Sequence, residues 1–406
     1  MKKRCAALCM AILLLAGLLC GCRKDAYKGM NETAEKYARI SVELNREVKN
    51  KYWVDDTLFA FHYYPNYNEE ATGTLDTAFA WPYTELVASN WRIATLNGAL
   101  KKQITPFYKK TLEGFEYYRA MRKDYHTYCA TRASETGMAG GDTYYDDNIW
   151  ISREFLNAYE MLGDQNYLAY SVAVAQYVWS GWADDALGGI YWCEQKKNSR
   201  NTCSNAPAAL LFARLYHTTG DAVWLERAQK VYAWTYKTLR DPSDNVYWDN
   251  ISNEGKINTW KFTYNTGSMI GAAVKLYELT HEEAYLEQAK ASALGAHEHW
   301  FKQQEGKDYR VITSDNPWFN VLLLDAWVEL YPYDKEGTMP YIADYEANLN
   351  HAYSMRADGL MPADWANGWK QQDGAAVLEK VNVLDMAANA ENMGTLAYFY
   401  QYVKGE

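Results

Sequence analysis

Apolar residues recur at helical spacing along most of this chain. Between Glu32 and Lys51 they fall at Ala38, Ile40, Val42, Leu44 and Val48, a pattern that predicts an amphipathic helix. A loop carrying Pro65, Asn66 and Gly73 follows, and Trp81-Pro82 opens a second helical stretch through Leu100. The glycines of 137–141 predict another loop.

The middle of the chain repeats itself. Ala158-Tyr159 through Gly163-Asp164 to Tyr167-Leu168 aligns with Leu215-Tyr216 through Gly220-Asp221 to Trp224-Leu225, and again with Leu276-Tyr277 through His281-Glu282 to Tyr285-Leu286. Tyr159, Tyr216 and Tyr277 are 57 and 61 residues apart. The stretch before each turn is small and apolar, as in Ala206–Leu215 and Met269–Leu276, and predicts a helix buried on most sides. The stretch after it carries one stripe (Trp224, Ala228, Val231, Tyr232, Thr235), with the turn aspartate as its N-cap. The unit is therefore a helical hairpin. Its period exceeds the ~34 residues of tetratricopeptide and ~40–47 of HEAT repeats. The extra length lies in connections rich in Gly, Asp, Asn and aromatics: Asp184–Trp192, Asp241–Asp249 and Asn258–Gly267. About six such hairpins fill the chain. The fold class predicted is all-α, an (α/α)6 barrel of six inner and six outer helices, with the long connections forming a cleft at one end. No alternating stretch is long enough for a central sheet.

The N-terminus sets the compartment. Lys2, Lys3 and Arg4 precede an apolar run from Ala6 to Leu19, ending in Leu19-Cys20-Gly21-Cys22. This is the pattern of a lipoprotein signal peptide over 1–21, with Cys22 lipidated, a tether over 22–28 and one domain over 29–406. The lipid would anchor a secreted chain to a membrane, the outer membrane being expected, on either of its faces. Removal of the leader leaves 38 basic against 51 acidic residues, a formal charge of −13. That excludes a nucleic-acid partner on electrostatic grounds and favours a neutral substrate. Cys129, Cys193 and Cys203 remain. Cys193 and Cys203 are as compatible with a disulfide as with two buried thiols. There is no Cys-x-x-Cys and no His-Glu-x-x-His, and His297 and His299 do not share a helix face, so no metal or cofactor is expected. A monomer is the default. The 16 Trp and 35 Tyr outnumber 11 Phe. Most must pack the core, but rings with an apolar face and a polar edge also suit sugars.

Polar and aromatic clusters stand just before each predicted inner helix: Tyr144–Trp150, Asn201–Asn205 and Asn258–Gly267. Glycoside hydrolysis needs two carboxyl groups about the scissile bond, and Asp146-Asp147 supplies an adjacent pair. Such neighbours can flank a sugar if the backbone there is not yet helical, and the positive helix end would hold one as the anion. Either could instead be only an N-cap, and Asp55-Asp56 and Asp184-Asp185 are further pairs. Tyr145, Asn148, Trp192, Asn205, Tyr264 and Asn265 fall where connections should meet the cleft and are candidate sugar contacts. Trp81, Trp365 and Trp369 rank below them as stacking platforms.

The cluster Tyr144–Trp150, followed by Ala158-Tyr159 and Gly163-Asp164, resembles the signature of glycoside hydrolase family 76, the α-1,6-mannanases. Gly188-Gly189-Ile190-Tyr191-Trp192, Asn201–Pro207, Trp260–Gly267, Pro317-Trp318-Phe319-Asn320 and Asp364-Trp365-Ala366-Asn367 extend the likeness in order. The resemblance implies an (α/α)6 fold and retaining, endo-acting hydrolysis of the α-1,6-mannose backbone of fungal mannan. Asp146 would be the nucleophile and Asp147 the acid/base. Asp325 stands where gut-bacterial members often carry Arg, which bears on substrate preference if that position supports the cleft. The competing readings are a non-catalytic glycan-binding lipoprotein and another (α/α)6 enzyme. A glucuronyl hydrolase would need cationic recognition, and an epimerase would need cleft histidines.

Overall fold

The structure is a computed structural model and describes residues 26–54, 57–65, 77–122, 125–132, 141–314 and 316–405. The predicted leader, the lipidation candidate Cys22, the pair Asp55-Asp56 and most of the 137–141 loop lie outside these residues. Among the described residues twelve α-helices run in order: α1 (Glu32–Tyr52), α2 (Ala80–Leu96), α3 (Gly98–Glu113), α4 (Tyr145–Leu162), α5 (Gln165–Ser180), α6 (Thr202–Thr219), α7 (Ala222–Leu239), α8 (Thr263–Thr280), α9 (Glu283–Trp300), α10 (Pro317–Leu330), α11 (Lys335–Ser354) and α12 (Val383–Tyr398). No described helix is long and apolar enough to cross a membrane.

The even-numbered helices touch in a closed ring, α2–α4–α6–α8–α10–α12 and back to α2. They are buried on nearly every side, as their composition requires; α10 hides Trp318, Val321 to Leu324, Ala326, Trp327, Val328 and Leu330. Small residues let them approach closely. A Cβ at Gly267 of α8 would lie 2.4 Å from the Leu322 carbonyl oxygen of α10. The odd-numbered helices lie outside and bury one stripe each. In α7 that stripe is Trp224, Ala228, Val231, Tyr232, Thr235 and Leu239. The expected (α/α)6 barrel is therefore the fold.

The turns joining inner to outer helix match the repeat. Gly163, Gly220 and His281 adopt left-handed φ of 73°, 70° and 58°, and their N–H groups donate to the carbonyls of Tyr159, Tyr216 and Tyr277, each at 2.8 Å. Asp164 and Asp221 accept from Asn166 N and Val223 N as N-caps. The third turn departs from the pattern, because Glu282 makes no side-chain cap. The stretch from Trp81 to Leu100 is two helices rather than one. Asn97 breaks it with extended backbone and caps α3 through Ala99 N and Leu100 N.

Closure of the ring differs from six hairpins in sequence. The first helix, α1, is an outer one, and its inner partner is the last, α12. Ser41 Oγ donates to the Ala390 carbonyl at 2.7 Å, and Asn31 N to Gln401 Oε1 at 3.0 Å. The two ends of the chain thus form the sixth pair. All six outer-to-inner connections gather at the opposite end from the tight turns. They carry short antiparallel pairs, the largest a three-stranded sheet of β1 (Ser199–Asn201), β2 (Trp248–Ser252) and β3 (Ile257–Lys261) in that order.

Candidate active site

Every inner helix starts at the end where the long connections lie, so six helix N-termini converge there. Their second residues are Trp81, Asp146, Cys203, Tyr264, Trp318 and Leu384. All six line one cleft of about 960 Å3. The floor is thus a ring built from one register position, and what stands at that position decides the chemistry. The connections add the walls: His62, Phe79, Tyr144, Trp192, Ser199, Asn201, Asp249, Asn250 and Asn316 among them. Asp147, Glu254 and Asp385 also face the cleft, and no described Lys or Arg lines it. Carboxyl groups in a cleft that no described Lys or Arg lines repel anionic substrates and suit a neutral one that develops positive charge.

Asp146 and Asp147 already lie within the first turn of α4, whose N-cap is Tyr144. The expectation of a non-helical backbone at the pair is therefore corrected, and neither aspartate is the cap. Consecutive helical residues still point about 100° apart, so the side chains diverge as flanking carboxylates must. Their surroundings differ sharply. Asp146 is half-buried, and its Oδ2 accepts from Trp192 Nε1 at 3.1 Å. Burial holds its carboxyl above the ordinary value, and hydrogen bonds from the Cys203 thiol, Trp192 and the backbone N–H groups of the first turn offset only part of that rise. Asp147 is 9% exposed. Burial holds its carboxyl well above the usual range, repulsion from Asp146 adds to this, and no donor offsets either effect. Both carboxyls are raised, Asp147 by far the more, so Asp146, beside a helix N-terminus and supplied with donors, is the readier anion and Asp147 the readier acid.

Of the predicted sugar contacts, Trp192 and Tyr264 line the cleft. Asn148 and Asn205 do not. Both are fully buried, and they hold connections in place. Asn148 accepts from Tyr128 N and donates to the carbonyls of Tyr128 and Tyr144. Asn205 accepts from Ile190 N and donates to the carbonyls of Ile190 and Asn201. Each is the fourth residue of its inner helix, and Thr266 holds that position in α8 by accepting from Tyr247 N at 3.4 Å. Asn265 is accordingly one residue out of phase and fully buried. Tyr145, the first residue of α4, turns outward and stacks on Tyr177 of α5 at 5.0 Å. Its neighbour Tyr144 is the cleft residue, packed against Trp192 at 4.9 Å.

Trp81 belongs to the floor, whereas Trp365 is buried and donates to Asn389 Oδ1. Trp369 lines a separate pocket with Asp364 and Glu379. Asp185 is committed to Arg200 and to the N–H groups of Leu187 and Gly188. Cys193 and Cys203 are free thiols, not a disulfide. Asp325 lies at the other mouth of the barrel, paired with Arg92 at 2.8 Å, so it does not support the cleft. Cys203, Trp318, Asp249, Asp385 and Phe79 escaped the sequence reading. The second position of each inner helix was the signal that could have found the first two.

Known proteins share the fold. A mannan endo-1,6-alpha-mannosidase of Saccharomyces cerevisiae, DFG5, is 27% identical over 210 residues, 46% of this chain and 45% of its own length. This chain thus spans about half the length of that curated relative. A family 76 glycoside hydrolase from a bovine Bacteroides thetaiotaomicron strain superposes with a TM-score of 0.79 at 25% identity, over 89% of this chain and 77% of that one. The fold also matches, with a TM-score of 0.71 at 23% identity over 89% of this chain and 99% of that one, an α-1,6-mannanase of Salegentibacter. That enzyme was captured as an inactive variant, two consecutive aspartates replaced by asparagine, in complex with α-1,6-mannotriose. The profile of glycosyl hydrolase family 76 matches residues 51–398, and the chain belongs to that family.

Proposed function

We propose that this chain is an endo-acting, retaining glycoside hydrolase that cleaves α-1,6-mannosidic bonds in the backbone of α-mannan, with Asp146 as nucleophile and Asp147 as acid/base. The observation that carries the reading is the asymmetry of the pair, one carboxyl supplied with donors and the other left without them. The inactive Salegentibacter variant, altered at two consecutive aspartates and holding α-1,6-mannotriose, supports the choice of an adjacent aspartate pair and of an α-1,6-mannose substrate, and the naming of the yeast relative as a mannan endo-1,6-alpha-mannosidase supports the activity.

In the first step an Asp146 oxygen attacks the anomeric carbon while the bond to the leaving O6 breaks, and Asp147 gives that oxygen its proton. A mannosyl ester on Asp146 remains. Asp147, now a carboxylate, takes a proton from water as the water oxygen attacks the same carbon and frees Asp146. Two displacements at one carbon retain its configuration. The cleft's carboxyl groups favour the oxocarbenium-like charge that develops in both steps. An open cleft rather than a closed pit favours attack within chains. The protein is read further as a lipid-anchored monomer, held by Cys22 to the outer membrane, where it meets polymer.

The test is incubation of the purified mature protein with debranched α-1,6-mannan, with products followed by chromatography and their anomeric signals by NMR. Mannooligosaccharides born in the α configuration are expected. Tight binding without products would sink the enzyme reading in favour of a glycan-binding protein.

A further inference from the structure

Trp260 is the most exposed large apolar side chain among the described residues, 68% accessible. It stands on β3, the outer strand of the sheet whose β1 and β2 line the cleft through Ser199, Asn201, Asn250 and Ser252. Asn258, two residues earlier on the strand, donates to the cleft-lining Asp249 at 3.0 Å. The β2–β3 register shifts between the Asn250–Asn258 and Trp248–Lys261 pairs, and Trp260 stands in that irregular segment, beside the strand that walls the cleft.

A line of rings joins it to the floor. Trp260 stands edge-on to Phe262 at 6.5 Å, Phe262 meets Phe319 at 5.4 Å, and Phe319 stacks on Tyr264 at 4.4 Å and on Trp81 at 6.2 Å. Tyr264 and Trp81 are floor residues, and Phe319 also lines the cleft. A lone surface tryptophan needs no explanation; one that ends a continuous aromatic track leading out of a cleft does. The face it offers is uncharged, since its neighbour Lys261 is committed to Asp241 and Asp244 at 2.7 Å each.

We propose that Trp260 is an outer subsite: a platform on which one mannose ring of a bound chain stacks, beyond the sugars that Asp146 and Asp147 act on. The proposal rests on the reading of the cleft as an α-mannan site and deepens it. It makes the enzyme prefer long chains, because only these reach from the carboxyl pair to the rim. A stacked ring removed at one end of a polymer weakens binding of the polymer and leaves the reacting centre as it was.

The experiment compares wild type, Trp260→Ala and Trp260→Phe on α-1,6-mannan and on a short α-1,6-mannooligosaccharide. Trp260→Ala is expected to lower kcat/KM on the polymer roughly five- to tenfold while the short substrate changes by less than about twofold. Trp260→Phe should recover part of the polymer rate. Equal losses on both substrates, or no loss on the polymer, would overturn the subsite. Wild type inactive on both would instead sink the mannanase reading. Retardation of Asp146→Asn, with and without Trp260→Ala, in gels containing mannan then decides the subsite separately: weaker retardation of the double variant supports it, and equal or absent retardation overturns it.

Discussion

The barrel has a cavity at each end, and both bury carboxyl groups. At the far mouth a space of about 480 Å3 is lined by Asp325, Glu160, Glu329 and Glu391 together with Arg92, Arg153, Arg214 and Lys275. There Asp325 accepts from Arg92 at 2.8 Å and from Thr395 at 2.9 Å, and Arg214 holds Glu160 at 2.7 Å. Burial pushes Glu329 up to about 7, with Lys275 acting against it. These cations stand toward the C-terminal ends of the inner helices, where the helix dipole favours them. At the near mouth, five carboxyl groups face a cleft with no described Lys or Arg. The same fold thus sets cations among its acids at one end and no described Lys or Arg among them at the other. Unneutralised burial destabilises a protein, so it persists where it serves a reaction.

The sharpest way to break this contrast is to remove carboxyl groups at the near mouth. Asp146→Ala should lower kcat by roughly 10^4-fold or more with no loss of thermal stability, since it deletes a buried like charge. Steady-state rates and a melting curve decide it, and a large loss of stability would count against the contrast.

Asp147→Asn should lower kcat by about 10^2- to 10^4-fold on a poor leaving group and abolish the alkaline limb of the pH–rate profile. Because the Asp147 carboxyl is raised in the fold, the folded chain keeps a proton there that the unfolded chain releases. Stability therefore falls as pH rises from the ordinary carboxylate value through the raised one. Denaturation at several pH values should show that slope in wild type and a shallower one in Asp147→Asn.

At the far mouth the signs reverse. Arg92→Met leaves Asp325 without its cation and should destabilise by about 3–5 kcal/mol, while kcat per folded molecule stays unchanged. Adding Asp325→Leu should recover most of it. Urea titration of the single and double variants measures both. Asn205→Ala removes the latch on Ile190 and should cost about 1–3 kcal/mol, readable in the same titration. The smallest effect is Cys203→Ala. Losing a donor to Asp146 raises that carboxyl, so the acid limb of the rate profile moves to higher pH; an unmoved limb would remove Cys203 from the account.

Much of this was legible in the chain. Tyr159, Tyr216 and Tyr277 marked the repeat because each supplies the carbonyl that ends an inner helix, a local device that sequence displays directly. The closing pair α1–α12 was hidden, because its partners lie at opposite ends of the chain. The pair Asp146-Asp147 was found, but the residues around it were read out of phase. Tyr145 and Asn148 are as near in sequence as Tyr144, yet only the helix register decides which side chain meets the axis. Once α4 is known to begin at Tyr145, the second residue faces the floor and the fourth holds the preceding connection. The difference between Asp146 and Asp147 was not legible at all, because Trp192 reaches Asp146 from the connection before α6 and Cys203 from the first turn of α6.

The central claim, a division of labour within the pair, is tested most directly by trapping the covalent intermediate. The protein is treated with an activated fluorinated α-mannoside that forms the glycosyl ester quickly and loses it slowly, and the labelled peptide is fragmented by mass spectrometry. The account predicts one sugar on Asp146, absent from Asp146→Ala and still formed by Asp147→Ala. A label on Asp147, or rapid turnover to an inverted product with no label, would contradict it.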